Sequence, residues 1–313
     1  MAPATGGLLG DQQKPTPTNP DTLFQSGVTY LKEKKYREAE EAFRKVSELE
    51  PANLRGDLGL AEVYMTQNRP DDAIQFLQAS AKKNPTRLDY HASIGNLAMR
   101  AAKYELAIQE YLFVLNRIDK YSQAAGDLYL RIGDAYRRKG DLDFAVIFLR
   151  QAKELLPQNV PVLGTLALAL EASGRKEEAA REYTSALDSD PNNPGALNNL
   201  ALLLSESGGD LDAALQCAQR ARELQPDSPD IADTLGWVYV KKNMTDQAIT
   251  ILREAVKGIP GRSSPHYHLA MALNQKGDRS GAIAELNSAL QNNPPKDEEQ
   301  QIIGLLQKIG KPD

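Results

Sequence analysis

The sequence predicts an all-α fold in which pairs of helices stack along the chain as a solenoid. Aromatic residues make up 6% of the composition, and most Gly and Pro residues fall between apolar segments rich in Ala and Leu. This balance favours helices, because strands are enriched in Val, Ile and Tyr. The 313 residues leave room for two globular domains or for one long array of repeats. A periodic alanine indicates the array.

The alanine recurs with a period of 34 residues, which is the length of one repeat. It occupies Ala39, Ala73, Ala107, Ala145, Ala179, Ala214, Ala248 and Ala282, with spacings of 34, 34, 38, 34, 35, 34 and 34 residues. A proline follows twelve residues later in every repeat except the third, which has Asp119 there. A small residue also recurs, at Gly27, Ala61, Gly95, Gly133, Ala167, Ala201, Gly236 and Ala270.

The spacing has a physical reason in a helix, a turn and a second helix. Large apolar residues at repeat positions 4, 7 and 11 form one helical face. The small residue at position 8 admits the second helix where the alanine at position 20 meets it. Proline at position 32 ends the second helix, because it lacks an amide donor and disfavours helix before it. One pair cannot bury both of its faces, so the pairs must stack.

This pattern resembles the tetratricopeptide repeat family. The first repeat carries it as Leu23, Gly27, Tyr30, Ala39, Phe43 and Pro51. The fourth carries it as Tyr129, Ile132, Gly133, Tyr136, Ala145, Leu149 and Pro157. The resemblance covers residues 20–294 as eight repeats that start near 20, 54, 88, 126, 160, 194, 229 and 263. It implies a right-handed α-solenoid that binds protein or peptide partners.

Two irregular spacings predict local changes in the array. The 38-residue spacing predicts a longer helix or an extra turn between repeats three and four, which should perturb the superhelix. The extra residue before Ala214 lies in the segment SESGGD, where a glycine-containing turn can absorb it.

Both ends of the chain lie outside the repeats. Residues 1–19 are rich in Pro, Thr and Gly and have too few large apolar residues to fold alone. Residues 295–313 contain Ile302, Ile303, Leu305, Leu306 and Ile309 on a short amphipathic helix. Because the last repeat would otherwise expose an apolar face, we expect this helix to be a cap. A docking peptide for a partner is the less favoured interpretation, since KDEEQQ gives the helix a solvated side.

The first helix of each repeat should line the inner face of the solenoid. Positions 2, 5, 6, 9, 12 and 13 lie opposite the core stripe on a helical wheel and predict the binding surface. In repeats six to eight these candidates are polar or aromatic: Asn198, Asn199, Thr234, Trp237, Tyr267, His268, Met271 and Asn274. A secondary basic groove is predicted at Arg100, Arg131, Arg137 and Arg138.

Trp237 is the single tryptophan and occupies position 9 of repeat seven. An exposed aromatic residue on an inner face is typical of interface anchors, so we expect it to contact a partner. The alternative is that it packs on the first helix of a neighbouring repeat. Asn198 and Asn199 could bind a peptide backbone through their amides, or could simply be solvated.

The arginines could bind an acidic segment or a carboxylate. The alternative is a screened surface in which Asp127 and Asp134 are their partners. Some members of the family bind a C-terminal carboxylate with Lys, Asn and Arg at fixed positions. The corresponding positions here are Phe24, Val28, Gly59, Asp89 and Ser93, so that clamp is absent.

Sequence motifs for catalysis, cofactors and metals are lacking. His266 falls at a core position and His268 has no triad pattern around it, and we expect no enzyme activity, no cofactor and no metal site. The net charge of −5, mixed along the chain, disfavours general nucleic-acid binding. No run approaches membrane-spanning length, so we expect a soluble chain without membrane insertion, either cytoplasmic or exported after removal of a leader.

The sequence therefore predicts a non-enzymatic interaction scaffold that binds an extended segment of a partner protein. The alternative is a self-assembling homo-oligomer, through end-to-end stacking or docking of the N-terminal tail into a neighbour. The short linkers and the segment LGWVYVKKN favour a bacterial source by resemblance.

Overall fold

Cap residues and prolines set the ends of the helices. In the computed structural model, which describes residues 19–310, the side chain of Asn19 accepts a hydrogen bond of 2.8 Å from the backbone N–H of Asp21 and starts the first helix. Such caps satisfy backbone donors that a helix leaves free. The second helix ends at Leu49, two residues before Pro51.

The chain divides into two compact units, each built from consecutive helix pairs. The first unit extends to Lys120. Its described residues form α1 Pro20–Lys32, α2 Tyr36–Leu49, α3 Arg55–Thr66, α4 Pro70–Lys83, α5 Leu88–Arg100 and α6 Tyr104–Leu115.

The second compact unit begins at Tyr121. Its described residues form α7 Gln123–Lys139, α8 Leu142–Leu155, α9 Val160–Ala172, α10 Lys176–Ser189, α11 Pro194–Glu206, α12 Leu211–Leu224, α13 Pro229–Lys241, α14 Thr245–Gly258, α15 Ser263–Lys276, α16 Arg279–Gln291 and α17 Lys296–Ile309. Residues 19–310 contain no strand, and the predicted all-α class is confirmed. The predicted N-terminal tail lies outside the described residues except for Asn19.

The periodic alanines form the contact between the two helices of each repeat. All eight of them, from Ala39 to Ala282, are 0% exposed. The small residue at position 8 faces the same contact: a Cβ added to Gly133 would lie 2.5 Å from Cγ of Leu149. A larger side chain there would force the helices apart, as the spacing predicted.

The two irregular spacings have local explanations. Helix α7 has 17 residues, longer than the 13 of α9, which confirms the longer helix predicted for the 38-residue spacing. The additional residue before Ala214 is absorbed between α11 and α12, where Gly208 has a φ of 70°. Glycine adopts this left-handed conformation without steric cost.

Helix α17 covers the apolar side of the last repeat, as predicted for a cap. Ile302 and Ile309 are buried in the same apolar cluster as Leu286 of α16, whereas Ile303 is 40% exposed. None of the helices in residues 19–310 combines the length and apolar character needed to cross a membrane.

Candidate functional site

The first helices of the repeats in the second compact unit are α7, α9, α11, α13 and α15. We call the side on which they carry positions 2, 5, 6, 9, 12 and 13 the first-helix face. A cleft of 490 Å³ opens on this face between α9 and α11. Its lining residues are Val160, Pro161, Gly164, Thr165, Leu168, Tyr183, Ala186, Asp190, Asn193, Gly195, Ala196 and Asn199.

Small residues at first-helix-face positions leave the cleft open. Gly164 is position 5 of repeat five, and a Cβ added to it would meet no atom within 4 Å. Gly195, at position 2 of repeat six, also contributes no side chain to the wall. Leu168 is consequently 37% exposed. The cleft thus presents an apolar surface to solvent at a place where a partner side chain fits.

Tyr183 of α10 forms the floor of the cleft and is 1% exposed. Its hydroxyl donates a hydrogen bond of 2.9 Å to Oε2 of Glu171, and Asn199 lines the same cleft. Burial, followed by the charge of Glu171, raises the pKa of Tyr183. The phenol therefore stays neutral and fixes the position of the Glu171 carboxylate.

Asn198 and Asn199, both predicted to bind a partner, lie beside this floor and are half-buried. The amide of Asn198 is 3.5 Å from Oδ1 of Asn199. Asn199 lines the cleft, whereas Oδ1 of Asn198 is buried without a hydrogen-bond partner in residues 19–310. The amide of Asn199 has two N–H donors, so it can donate to a ligand in the cleft.

Trp237 is not exposed, and that part of the sequence prediction is wrong. The residue is 7% exposed, and its ring stacks on His268 of α15 with centroids 4.3 Å apart. Nζ of Lys241 lies 4.4 Å from the centroid of the indole. Because α13 packs directly against both α11 and α15, the face that carries Trp237 is covered. The structure matches the alternative, in which the indole packs on a neighbouring first helix.

The other predicted residues around Trp237 divide into buried and half-buried ones. Thr234 is 4% exposed and His268 is 8% exposed, so the exposure expected for them is also wrong. Nδ1 of His268 lies 2.7 Å from Oδ1 of Asp233 of α13. This pair joins the two first helices. The half-buried members of the predicted set are Tyr267, Met271 and Asn274.

The predicted basic groove consists of paired arginines, and its members belong to different compact units. In the first unit, Arg100 makes a two-pronged contact with Glu62 at 2.6 and 2.8 Å. In the second, Arg137 and Arg138 bind Asp134 at 2.6 and 2.8 Å, and Arg131 also has a partner. These pairs favour the screened-surface interpretation over a free anion site.

The histidines do not form a nucleophilic triad with the residues around them. The hydroxyl of Ser264 donates to Asp233 at 3.1 Å, whereas a triad requires the hydroxyl on the histidine. His91 and His266 contact Glu110 and Glu285, each at 2.6 Å. Within residues 19–310 no group of three or more His, Cys, Asp or Glu residues could hold a metal ion.

Sequence reasoning missed the residues that keep the cleft open. Pro161, Gly164 and Leu168 occupy positions 2, 5 and 9 of repeat five, and none was among the candidates. The candidates were chosen for polar and aromatic character. The absence of side-chain volume at Gly164 was the sequence signal that could have located the cleft.

Comparisons with known proteins agree with the repeat architecture. A family model described as the Cilia and flagella-associated protein 70 C-terminal domain matches residues 25–238. A second model, described as Tetratricopeptide repeat, matches residues 234–297. Together the two matches extend from the first repeat to the last.

Curated relatives come from bacteria and animals. The Type IV pilus assembly protein PilF of Pseudomonas aeruginosa is 27% identical over 50% of this chain and 62% of its own length. The BBSome complex member BBS4 homolog of Drosophila melanogaster is 23% identical over 92% of this chain and 61% of its own. The match therefore spans less than two thirds of each relative, and the bacterial source stays a prediction.

A solved structure supports the fold. The structure titled "Crystal structure of APC/C hetero-tetramer Cut9-Hcn1" matches with a TM-score of 0.63 and 16% identity, over 92% of this chain and 56% of that one. The first family model alone covers more than half of the sequence. The chain belongs to the tetratricopeptide repeat family.

Proposed function

We propose that the protein is a non-enzymatic interaction scaffold that binds an extended segment of a partner protein in the cleft between α9 and α11. Proteins of this family are generally protein-interaction scaffolds. The observation that carries the proposal is the cleft itself, 490 Å³ in volume, with Leu168 exposed at its wall. Pockets of this size hold ligand side chains.

The chemistry of the cleft suits an extended chain. Leu168 and Pro161 offer apolar contacts, and the amide N–H of Asn199 can donate to a peptide carbonyl. The absence of a side chain at Gly164 lets a peptide backbone approach α9 closely. The proposed contact lies one to two repeats before Trp237, whose burial argues against a direct role in binding.

Self-assembly by end-to-end stacking has less support. Helix α17 covers the apolar side of repeat eight with Ile302 and Ile309. Stacking through that surface would require α17 to leave it. We therefore treat a homo-oligomer as the alternative, and a molecular mass that rises with concentration would favour it.

The proposal is tested by selecting random twelve-residue peptides, displayed on phage, against the full chain and a Gly164→Trp variant. A Cβ at Gly164 meets no atom within 4 Å, so the indole should fill the cleft without disturbing α9. We expect the wild type to enrich peptides that lose at least tenfold in affinity for the variant.

Gly304→Trp is the matched control, because a Cβ at Gly304 of α17 also meets no atom within 4 Å. The selected peptides should bind this variant as they bind the wild type. Circular dichroism verifies that both variants keep their helix content. Absence of enriched peptides, or equal binding to Gly164→Trp, would overturn the proposed function.

A further inference from the structure

Three carboxylates, one in the lining of the cleft and two near it, have no ion-pair partner among residues 19–310. Asp190 lines it, and its oxygens accept from the backbone N–H of Asn192 at 3.2 Å and the amide of Asn193 at 3.4 Å. Glu171, near the end of α9, accepts from Tyr183. Glu206, the last residue of α11, is close enough to repel the charge of Glu171.

Carboxylates on the second helix of the same repeat are neutralised differently. Glu178 of α10 binds Arg150 of α8 at 2.7 Å, and Glu182 binds Lys153 of α8 at 2.7 Å. Neighbouring second helices are thus joined by ion pairs that neutralise these carboxylates. The carboxylates at and near the cleft form no such ion pair, although the charge of Lys176 acts on Glu171 from beyond ion-pair distance. Negative charge therefore remains beside Tyr183.

This environment disfavours the ionised form of Glu171. Burial is the main cause that raises its pKa, and the charge of Glu206 raises it further. A cation brought to Glu171 would stabilise its ionised form. The charge of Arg137 acts on Tyr183, but the ion pair of Arg137 is with Asp134, at 2.6 Å. A cation added at Glu171 would therefore form an ion pair that the protein does not already contain.

The spacing of the charges can be compared with that of a peptide. Asp190 lines the cleft together with Pro161 and Gly195, the second residues of α9 and α11, whereas Glu171 is near the C-terminal end of α9. Glu171 follows Pro161 by ten residues along α9, and the helix rises about 15 Å over this distance. An extended peptide covers about 13 Å from residue i to residue i+4, and its residues i, i+2 and i+4 point to the same side.

We propose that the segment bound in this cleft has the pattern Lys or Arg, any residue, a large apolar residue, any residue, Lys or Arg. The central apolar side chain contacts Leu168 above the floor, and the two cations approach Asp190 and Glu171. The pattern rests on the proposed function, because it names the chemistry of the peptide that the cleft binds. Charge complementarity of this kind supplies specificity and association rate more than affinity.

The test is the same phage selection, repeated on a double variant, Asp190→Asn with Glu171→Gln. Glu171→Gln keeps an oxygen that can accept from Tyr183, and Asp190→Asn keeps one for the backbone N–H of Asn192 but loses the acceptor for the amide of Asn193. We expect the wild type to enrich the basic pattern and the double variant to enrich apolar peptides without it. A resynthesised peptide with the pattern should bind the double variant about four- to twenty-fivefold more weakly, since each of the two partly exposed ion pairs contributes about two- to fivefold.

The control is the double variant Asp143→Asn with Glu154→Gln on α8, which removes the same charge from residues that do not line the cleft. Its selected pattern should equal that of the wild type. Peptides that depend on Gly164 but show no excess of Lys or Arg would overturn the pattern and leave the proposed function intact. A basic preference that persists in the cleft double variant would also overturn it.

Discussion

The first-helix face of the second compact unit is open between α9 and α11 and closed around α13. Position 9 shows the contrast directly: Leu168 in repeat five is 37% exposed, whereas Trp237 in repeat seven is 7% exposed. Both positions lie opposite the core stripe on a helical wheel, yet Trp237 belongs to a buried apolar cluster with Leu269 and Leu273 of α15. What differs is the side-chain volume nearby. Glycine occupies position 164 of the same helix and position 195 of the next first helix around Leu168, whereas His268 of α15 stacks on Trp237.

The comparison shows that the same repeat position can serve binding or packing. Around Trp237, the Asp233–His268 contact joins α13 to α15 and removes the face from solvent. Around Leu168, no such contact spans the cleft, and Tyr183 instead forms a fixed floor below it. A repeat array can therefore stabilise one part of its first-helix face and leave another part for a partner.

The largest expected effect comes from truncating the two position-9 residues. Trp237→Ala should lower the free energy of unfolding by about 3–5 kcal/mol, because it leaves a cavity in a packed region. Leu168→Ala should lower it by about 1 kcal/mol, because part of that side chain is already in solvent. Urea unfolding followed by circular dichroism measures both changes.

Trp237→Phe is the control, since it keeps an aromatic ring against His268 and should lose much less stability than Trp237→Ala. Peptide binding should survive Trp237→Ala at temperatures where the variant is folded. If Trp237→Ala unfolds no more easily than Leu168→Ala, the contrast between a closed and an open region is wrong.

The sequence predicted the repeats because their signals are local. The periodic alanines, the small residue at position 8 and the apolar face of α17 each depend on contacts within one or two neighbouring helices, and all are found where expected. The exposure of Trp237 depended on how closely α13 approaches α11 and α15, which no spacing within one repeat encodes. Asn199 was placed at the cleft because its position and chemistry coincide, but the role of the predicted residues in binding stays a prediction.

A smaller effect in the opposite direction is expected at Gly164. Gly164→Ala should stabilise the protein by about 0.5–1 kcal/mol, because alanine favours the helix interior and its Cβ meets no atom within 4 Å. Gly304→Ala in α17 is the matched control and should stabilise by a similar amount. Thermal unfolding measures both changes. If Gly164→Ala destabilises the protein and Gly304→Ala does not, the space beside Gly164 is occupied and the prediction is wrong.

The smallest effect is a pH dependence beneath the cleft. The pKa of Glu171 is raised in the folded protein, mainly by burial, so the folded state binds more protons than the unfolded state between the two pKa values. Stability from this group therefore falls as the pH rises through that window.

Glu171→Gln keeps an acceptor for Tyr183 but cannot ionise. It should be more stable than the wild type at pH 7, and the gain should disappear below the ordinary pKa of a glutamate, about 4.3. Urea unfolding at pH 4 and pH 7 measures the difference, and a gain of equal size at both values would contradict it. Glu177→Gln, which replaces an exposed carboxylate of α10, is the matched control.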